Sequence, residues 1–139
     1  MNKFLILIVL LGLGCTSSKK QPVIHIGLIN KGQSLQFTGL DKAVMQEIAR
    51  DSSDEVWQSF IPVYRMPADT DMKTYQPVQP GNYRLNDSAV VFTPDTPFVK
   101  KQEYFVRYYL LGEGLGLSDY LKGSASPGKT HFIDLIFKQ

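Results

Sequence analysis

The sequence predicts a mainly β protein, an antiparallel β-sandwich with one short helix. Three observations lead there. Short runs rich in β-branched and aromatic residues recur along the chain, separated by clusters of Gly, Pro, Asn, Asp and Ser. A single segment, residues 40–50, carries apolar side chains at helical rather than alternating spacing. The length of 139 residues, with 43% hydrophobic and 20% charged residues, suits one packed domain and not a disordered chain. A small α+β domain is the alternative way to assemble the same elements.

The first residues stand apart. Met1-Asn2-Lys3 is a short, positively charged start, and residues 4–13 are an apolar run that ends at Gly14 and Cys15. Such a run matches a signal-peptide core of ~7–15 residues and is too short for the ~20 that span a bilayer. The segment L-G-L-G-C resembles the cleavage box of bacterial lipoproteins, with Gly12 where that family usually has leucine. The resemblance implies cleavage after residue 14 and a diacylglycerol on the sulfur of Cys15. An ordinary signal peptide with a chance cysteine, or a short N-terminal anchor, is the alternative.

Three parts follow from this reading: a signal peptide over residues 1–14, a lipidated cysteine and polar tether over 15–22, and one domain over 23–139. Cys15 is the single cysteine, so the domain has no internal disulfide and must rest on its core. Removing Lys3 takes one from 15 basic residues set against 13 acidic ones. A charge that close to balance gives no nucleic-acid footprint. Lys19 and Lys20 in the tether can touch anionic headgroups at ~1 kcal/mol each.

The elements then follow in order. Residues 23–29 (V-I-H-I-G-L-I) alternate as a strand, with Ile24, Ile26 and Leu28 on one face. Asn30-Lys31-Gly32 has turn composition, and residues 34–38 form a second strand in which Leu35 and Phe37 share a face. In residues 40–50, Leu40, Ala43, Val44 and Ile48 fall on one helical side, with Thr38 and Asp41 available to cap its start. Residues 56–64 (V-W-Q-S-F-I-P-V-Y) read as a strand that Pro62 confines to an edge or a bulge. Residues 66–81 hold three prolines and form a surface connection. Residues 82–111 read as a strand stopped by Pro94 and Pro97, a polar reversal, and a long strand from Tyr104. Residues 112–130 are rich in Gly and Ser, and residues 131–137 close the chain as a strand.

The stretch A-V-V-F-T-P-D-T-P-F-V-K-K-Q-E-Y-F-V-R-Y resembles the closing hairpin of bacterial immunoglobulin-like domains of the surface-layer and adhesin type. Val91, Phe92, Pro94, Pro97, Phe98, Tyr104 and Val106 carry the likeness, and Leu35 with Phe37 adds a weaker match. The resemblance implies an Ig-like sandwich that binds or supports and has no catalytic residues. Tyr104 would bury its ring between the sheets and send its hydroxyl to a backbone group at a corner. The helix at 40–50 and the strand after the glycine-rich loop depart from the family pattern.

Other motifs have plainer readings. G-S-A-S-P-G-K-T, residues 123–130, fits the phosphate-loop spacing with Lys129 and Thr130 in place. That loop must open a helix, whereas H-F-I-D-L-I-F reads as a strand, so a flexible connection is expected. Residues 112–116 lack the dinucleotide-binding spacing. His25 and His131 are the only histidines and lack companions for zinc; Asp51, Asp54 and Glu55, or Asp69 and Asp71, lack EF-hand spacing. Packed or surface positions on strands explain the histidines, and solvated loops the acidic groups. No catalytic set, cofactor or metal site is expected.

One surface stands out. In residues 104–111, Tyr104, Val106, Tyr108 and Leu110 form the expected core face, while Phe105, Arg107, Tyr109 and Leu111 form the other. Phe105, Arg107 and Tyr109 are the candidate binding surface, being aromatic and arginine side chains of the kind that anchor interfaces. Burial of this face under another element is the alternative. The expected protein is a membrane-tethered envelope module, held by its lipid on Cys15, that binds an envelope protein or a glycan and no nucleic acid. The alternatives are a small envelope enzyme or enzyme accessory, and a metal-handling protein using Met45, Met66, Met72 and the histidines.

Overall fold

The computed structural model describes residues 23–51, 53–110 and 131–139. The leader, Cys15, the tether, Leu111 and the glycine-rich segment with its phosphate-loop spacing lie outside the described residues. Within them the chain forms β1 (His25–Ile29), β2 (Ser34–Thr38), α1 (Lys42–Asp51), α2 (Asp54–Phe60), β3 (Val63–Arg65), β4 (Gly81–Asn86), β5 (Ala89–Pro94), β6 (Glu103–Leu110) and β7 (His131–Lys138). One sheet has the order β1-β2-β5-β4 and the other β3-β6-β7, with every pairing antiparallel. These are the two sheets and the strand orders of a constant-type immunoglobulin sandwich.

Alternation builds the core. Leu35 and Phe37 of β2 lie opposite Phe92 and Val90 of β5, and all four are fully buried. From the other sheet Val63, Tyr104, Val106 and Tyr108 point inward to meet them. Tyr104 is 3% exposed, and its hydroxyl accepts a 3.0 Å hydrogen bond from the Val99 backbone N–H. The tyrosine corner expected from the sequence is therefore present, with its ring packed against Phe98 and Phe137.

Two expectations are corrected. Residues 56–64 are not one strand, and the domain has two α-helices rather than one among its described residues. The Ser53 hydroxyl caps α2 by accepting from Val56 N–H at 3.3 Å, and Asp54 and Glu55 sit in the first turn, where the helix dipole favours anions. Val56, Trp57 and Phe60 then form one buried helical stripe, so residues that favour strands are used at helical spacing. The helix stops at Ile61, Pro62 follows, and β3 is short and lies at the sheet edge, as Pro62 requires.

Residues 82–92 also divide. They form a hairpin in which Leu85 faces Val90 and Asn86 faces Ala89 across a two-residue turn. Asp87 occupies that turn at φ 50°, a left-handed conformation that aspartate tolerates better than most residues. The cap of α1 is Asp41 alone: its Oδ1 accepts from Ala43 N–H at 2.8 Å and Val44 N–H at 3.2 Å.

Helix α2 packs along β4 and reaches β6. Trp57 stacks on Tyr83 with ring centres 6.2 Å apart, Phe60 meets Tyr108 edge-on, and Asp54 accepts the Tyr83 backbone N–H at 2.8 Å. The Tyr83 hydroxyl donates to the Ile61 carbonyl, and burial pushes its pKa far up, so it stays neutral and works as a hydrogen-bond donor. An otherwise open side of the sandwich is closed this way, and the sheet containing β6 is left to show its outer face.

Candidate functional site

The outer face of β3-β6-β7 is where chemistry-bearing side chains gather. Strand pairing sets Tyr64 beside Phe105 and Phe105 beside Ile136, Arg107 beside Asp134, and Tyr109 beside Phe132. Arg107 is the one charge within the apolar run of β6, and Asp134 the one charge within that of β7. The register brings these two together. The Arg107 guanidinium grips the Asp134 carboxylate with both arms, Nε to Oδ1 at 2.9 Å and Nη2 to Oδ2 at 3.1 Å.

A third group arrives from the connection between β3 and β4. The 3-10 turn Thr70–Tyr75 is capped by Asp69, which accepts from Asp71 N–H at 3.0 Å. From it Lys73 extends over the sheet, placing Nζ 2.8 Å from Asp134 Oδ2 and 4.6 Å from the centre of the Phe105 ring. Arg107 lies 4.0 Å over the Phe132 ring, and Tyr64 stacks on Phe105 at 5.0 Å and 18°. Tyr109 meets Phe132 edge-on. The result is a layer of rings and cations around one carboxylate.

Of the three residues expected to form the binding surface, Phe105 is 0% exposed and Arg107 7%, while Tyr109 is half-buried. Phe105 and Arg107 hold the layer in place, and its exposed edge is Phe132 at 46% and Ile136 at 58%. Beside it lies a depression of about 450 Å³ lined by Glu55, Ser59, Pro62, Tyr64, Val78 and Tyr109. Tyr64, Lys73, Phe132 and Asp134 escaped the reading of the sequence. The lone opposite charges of β6 and β7 were a usable signal for the pair; nothing local points to Lys73.

The electrostatics make this a fixed surface. Burial works to raise the Asp134 pKa, but the hydrogen bonds from Arg107 and Lys73 outweigh it and hold the group below the ordinary 3.8. The Asp134 bond raises the Arg107 pKa further, against the opposing effect of burial. Burial, with the neighbouring Tyr109 next, raises that of Tyr64, which stays a neutral phenol. An ionised carboxylate saturated by two cations is a poor general base. Such a group orients its neighbours.

The remaining candidates lie apart. His25 is exposed on β1 and His131 at the start of β7, while Met45 is buried in the core. No three His, Cys, Asp or Glu side chains come together among the described residues, and no helix there is long and apolar enough to cross a membrane. The strand β7 begins at His131, where a phosphate loop would open a helix. The class that fold and site define is an Ig-like sandwich with a rigid aromatic and cationic face. No protein-family model, curated protein or solved structure matches the chain. No finding points to catalysis.

Proposed function

We propose that this protein is a lipid-anchored module of the bacterial cell envelope, tethered through Cys15, that binds another envelope component through the outer face of β3-β6-β7 and carries out no reaction of its own. One observation carries the binding reading: Phe132 and Ile136 remain exposed directly beside side chains locked by the Arg107–Asp134–Lys73 cluster. Apolar groups on a pre-ordered polar support lose little conformational entropy on binding, which favours recognition. The anchor reading is supported by the leader and its L-G-L-G-C segment. The non-catalytic reading is supported by the saturation of Asp134, the one carboxylate at the centre of the face.

Two measurements test it. Mass spectrometry of the mature N-terminus is expected to find a diacylated Cys15; an unmodified Cys15 or an uncut Met1 refutes the anchor. A photo-crosslinking residue at Ile136 is expected to capture one envelope component in cells, while the same residue at Leu85, on the other sheet, captures none. Equal labelling from both positions refutes a specific face.

A further inference from the structure

A second site lies at one end of the sandwich. There the end of β3, the start of β6 and the end of β7 surround a depression of about 530 Å³. Arg65, Lys101 and Lys138 line it, with Glu103 as the one carboxylate and Met66 and Pro67 as an apolar patch. All three cations are exposed, and none has a carboxylate within 4.0 Å among the described residues. This differs from the outer face, where both cations already share Asp134 as an ion-pair partner.

Of the three cations, the Arg65 guanidinium is fixed by a side-chain hydrogen bond. Gln102 Oε1 accepts from Arg65 Nη2 at 2.9 Å, and Gln102 Nε2 donates to the carbonyls of Met66 at 3.3 Å and Glu103 at 2.9 Å. Both donors of that carboxamide are used in fixing it beneath the guanidinium, which keeps most of its own donors for a ligand. The Lys101 backbone N–H donates to the Gln139 carbonyl at 2.8 Å, and Lys101 itself sits at φ 66°. Lysine is a costly residue there, because a left-handed backbone favours glycine. Lys31 repeats the pattern at φ 58°, in a turn whose Gly32 lies against Gln139. Two lysines therefore occupy left-handed turns at this same end of the sandwich.

Position selects the partner. Residue 23, where the leader and tether join, lies at the far end of β1: His25 pairs with Thr38, and the Val23 carbonyl approaches Gly39. The five residues of β1 separate the two ends by roughly 14 Å, four steps of ~3.4 Å. In the anchored reading proposed above, the chain enters the domain at the end opposite the depression. We infer that Arg65, Lys101 and Lys138 form a binding site for an acidic polysaccharide, its carboxylates on the three cations and a sugar ring against Met66 and Pro67. The cation geometry stands by itself; preferring polysaccharide over membrane headgroups rests on the anchored reading proposed above.

Calorimetric titration of the full chain with a hexasaccharide of galacturonic acid tests this. Binding is expected, weakening steeply with added salt. Lys138→Gln and Arg65→Gln are each expected to weaken it about three- to tenfold, and Glu103→Gln to tighten it. Lys42→Gln, on α1 at the other end, should leave it unchanged. Lys101→Gly gives the sharpest readout: relief of the left-handed backbone should raise the melting temperature by about 2–5 °C while affinity falls. Equal binding of the fully methyl-esterified hexasaccharide overturns the proposal. So does inorganic phosphate competing at equal affinity, or binding to phosphatidylglycerol vesicles with none to the hexasaccharide. The N-terminal mass of the same preparation reports on the anchor separately, so failure of the anchor is distinguished from failure of the binding site.

Discussion

Strand β6 has two faces, both largely closed to water, and they are closed by different forces. Inward, Tyr104, Val106 and Tyr108 pack against the aromatic and aliphatic side chains of the opposite sheet. Outward, Phe105 and Arg107 lie beneath Tyr64, Lys73 and Phe132, joined by stacking and by one shared carboxylate. The inner face depends on apolar area, which is indifferent to pH. The outer face depends on charge geometry, in which one partner's removal leaves the others uncompensated. A sheet face can therefore be nearly as buried as a core and still be a polar device.

The largest test asks whether the outer face is truly a second core. Tyr104→Ala and Phe105→Ala are each expected to cost about 3–5 kcal/mol in urea denaturation. A loss below about 1 kcal/mol for Phe105→Ala breaks the comparison, since the ring would then be covered without being packed.

Next comes the charge cluster. Arg107→Leu leaves Asp134 largely buried with Lys73 alone and is expected to cost about 2–4 kcal/mol, whereas Arg107→Leu combined with Asp134→Leu recovers most of that loss. If the double variant is no better than the single one, the pair is not a unit. Its pH dependence has a definite sign. Asp134 has a folded pKa below the ordinary 3.8, so its stabilisation is complete above that value and fades as the pH falls through the folded pKa. The stability gap between wild type and Asp134→Asn should thus be constant near neutrality and close only in acid below 3.8. The effect of Tyr104→Ala should show no such closing.

Smaller effects refine the picture. Tyr104→Phe keeps the ring and removes the acceptor of the Val99 N–H, for an expected loss of about 1 kcal/mol. Ser53→Ala removes the cap of α2 and should cost a similar ~1 kcal/mol, read as a lower thermal midpoint. Lys73→Gln, with a partly exposed side chain, is expected to cost about 0.5–1 kcal/mol. A Lys73→Gln loss as large as that of Arg107→Leu would shift the centre of the cluster from the guanidinium to the ammonium.

Much of the architecture was legible in the chain itself. Alternation at Leu35 and Phe37 marks β2 with its observed bounds, because a strand buried on one side must repeat every second residue. The corner role of Tyr104 followed from the likeness of residues 89–108 to an immunoglobulin-like closing hairpin, and its hydroxyl does meet the Val99 backbone. Asp41 and the run from Leu40 to Ile48 specified a helix through local capping and period, and Arg107 was conspicuous as a charge in an apolar run, a signal that Asp134 repeats in β7 and that went unread.

What only the folded chain decided was how those signals combine. Val56, Trp57 and Phe60 favour strands by residue type, yet they form a helix because Ser53 caps it and because β4 and β6 offer one surface to a helical stripe. Arg107 and Asp134 are 27 residues apart, and their union follows from the register of β6 and β7. Lys73 joins them across an irregular connection that no periodicity reports. Local signals arise from neighbours along the chain and can be read from sequence, whereas a site assembled from distant strands exists only once their register is set.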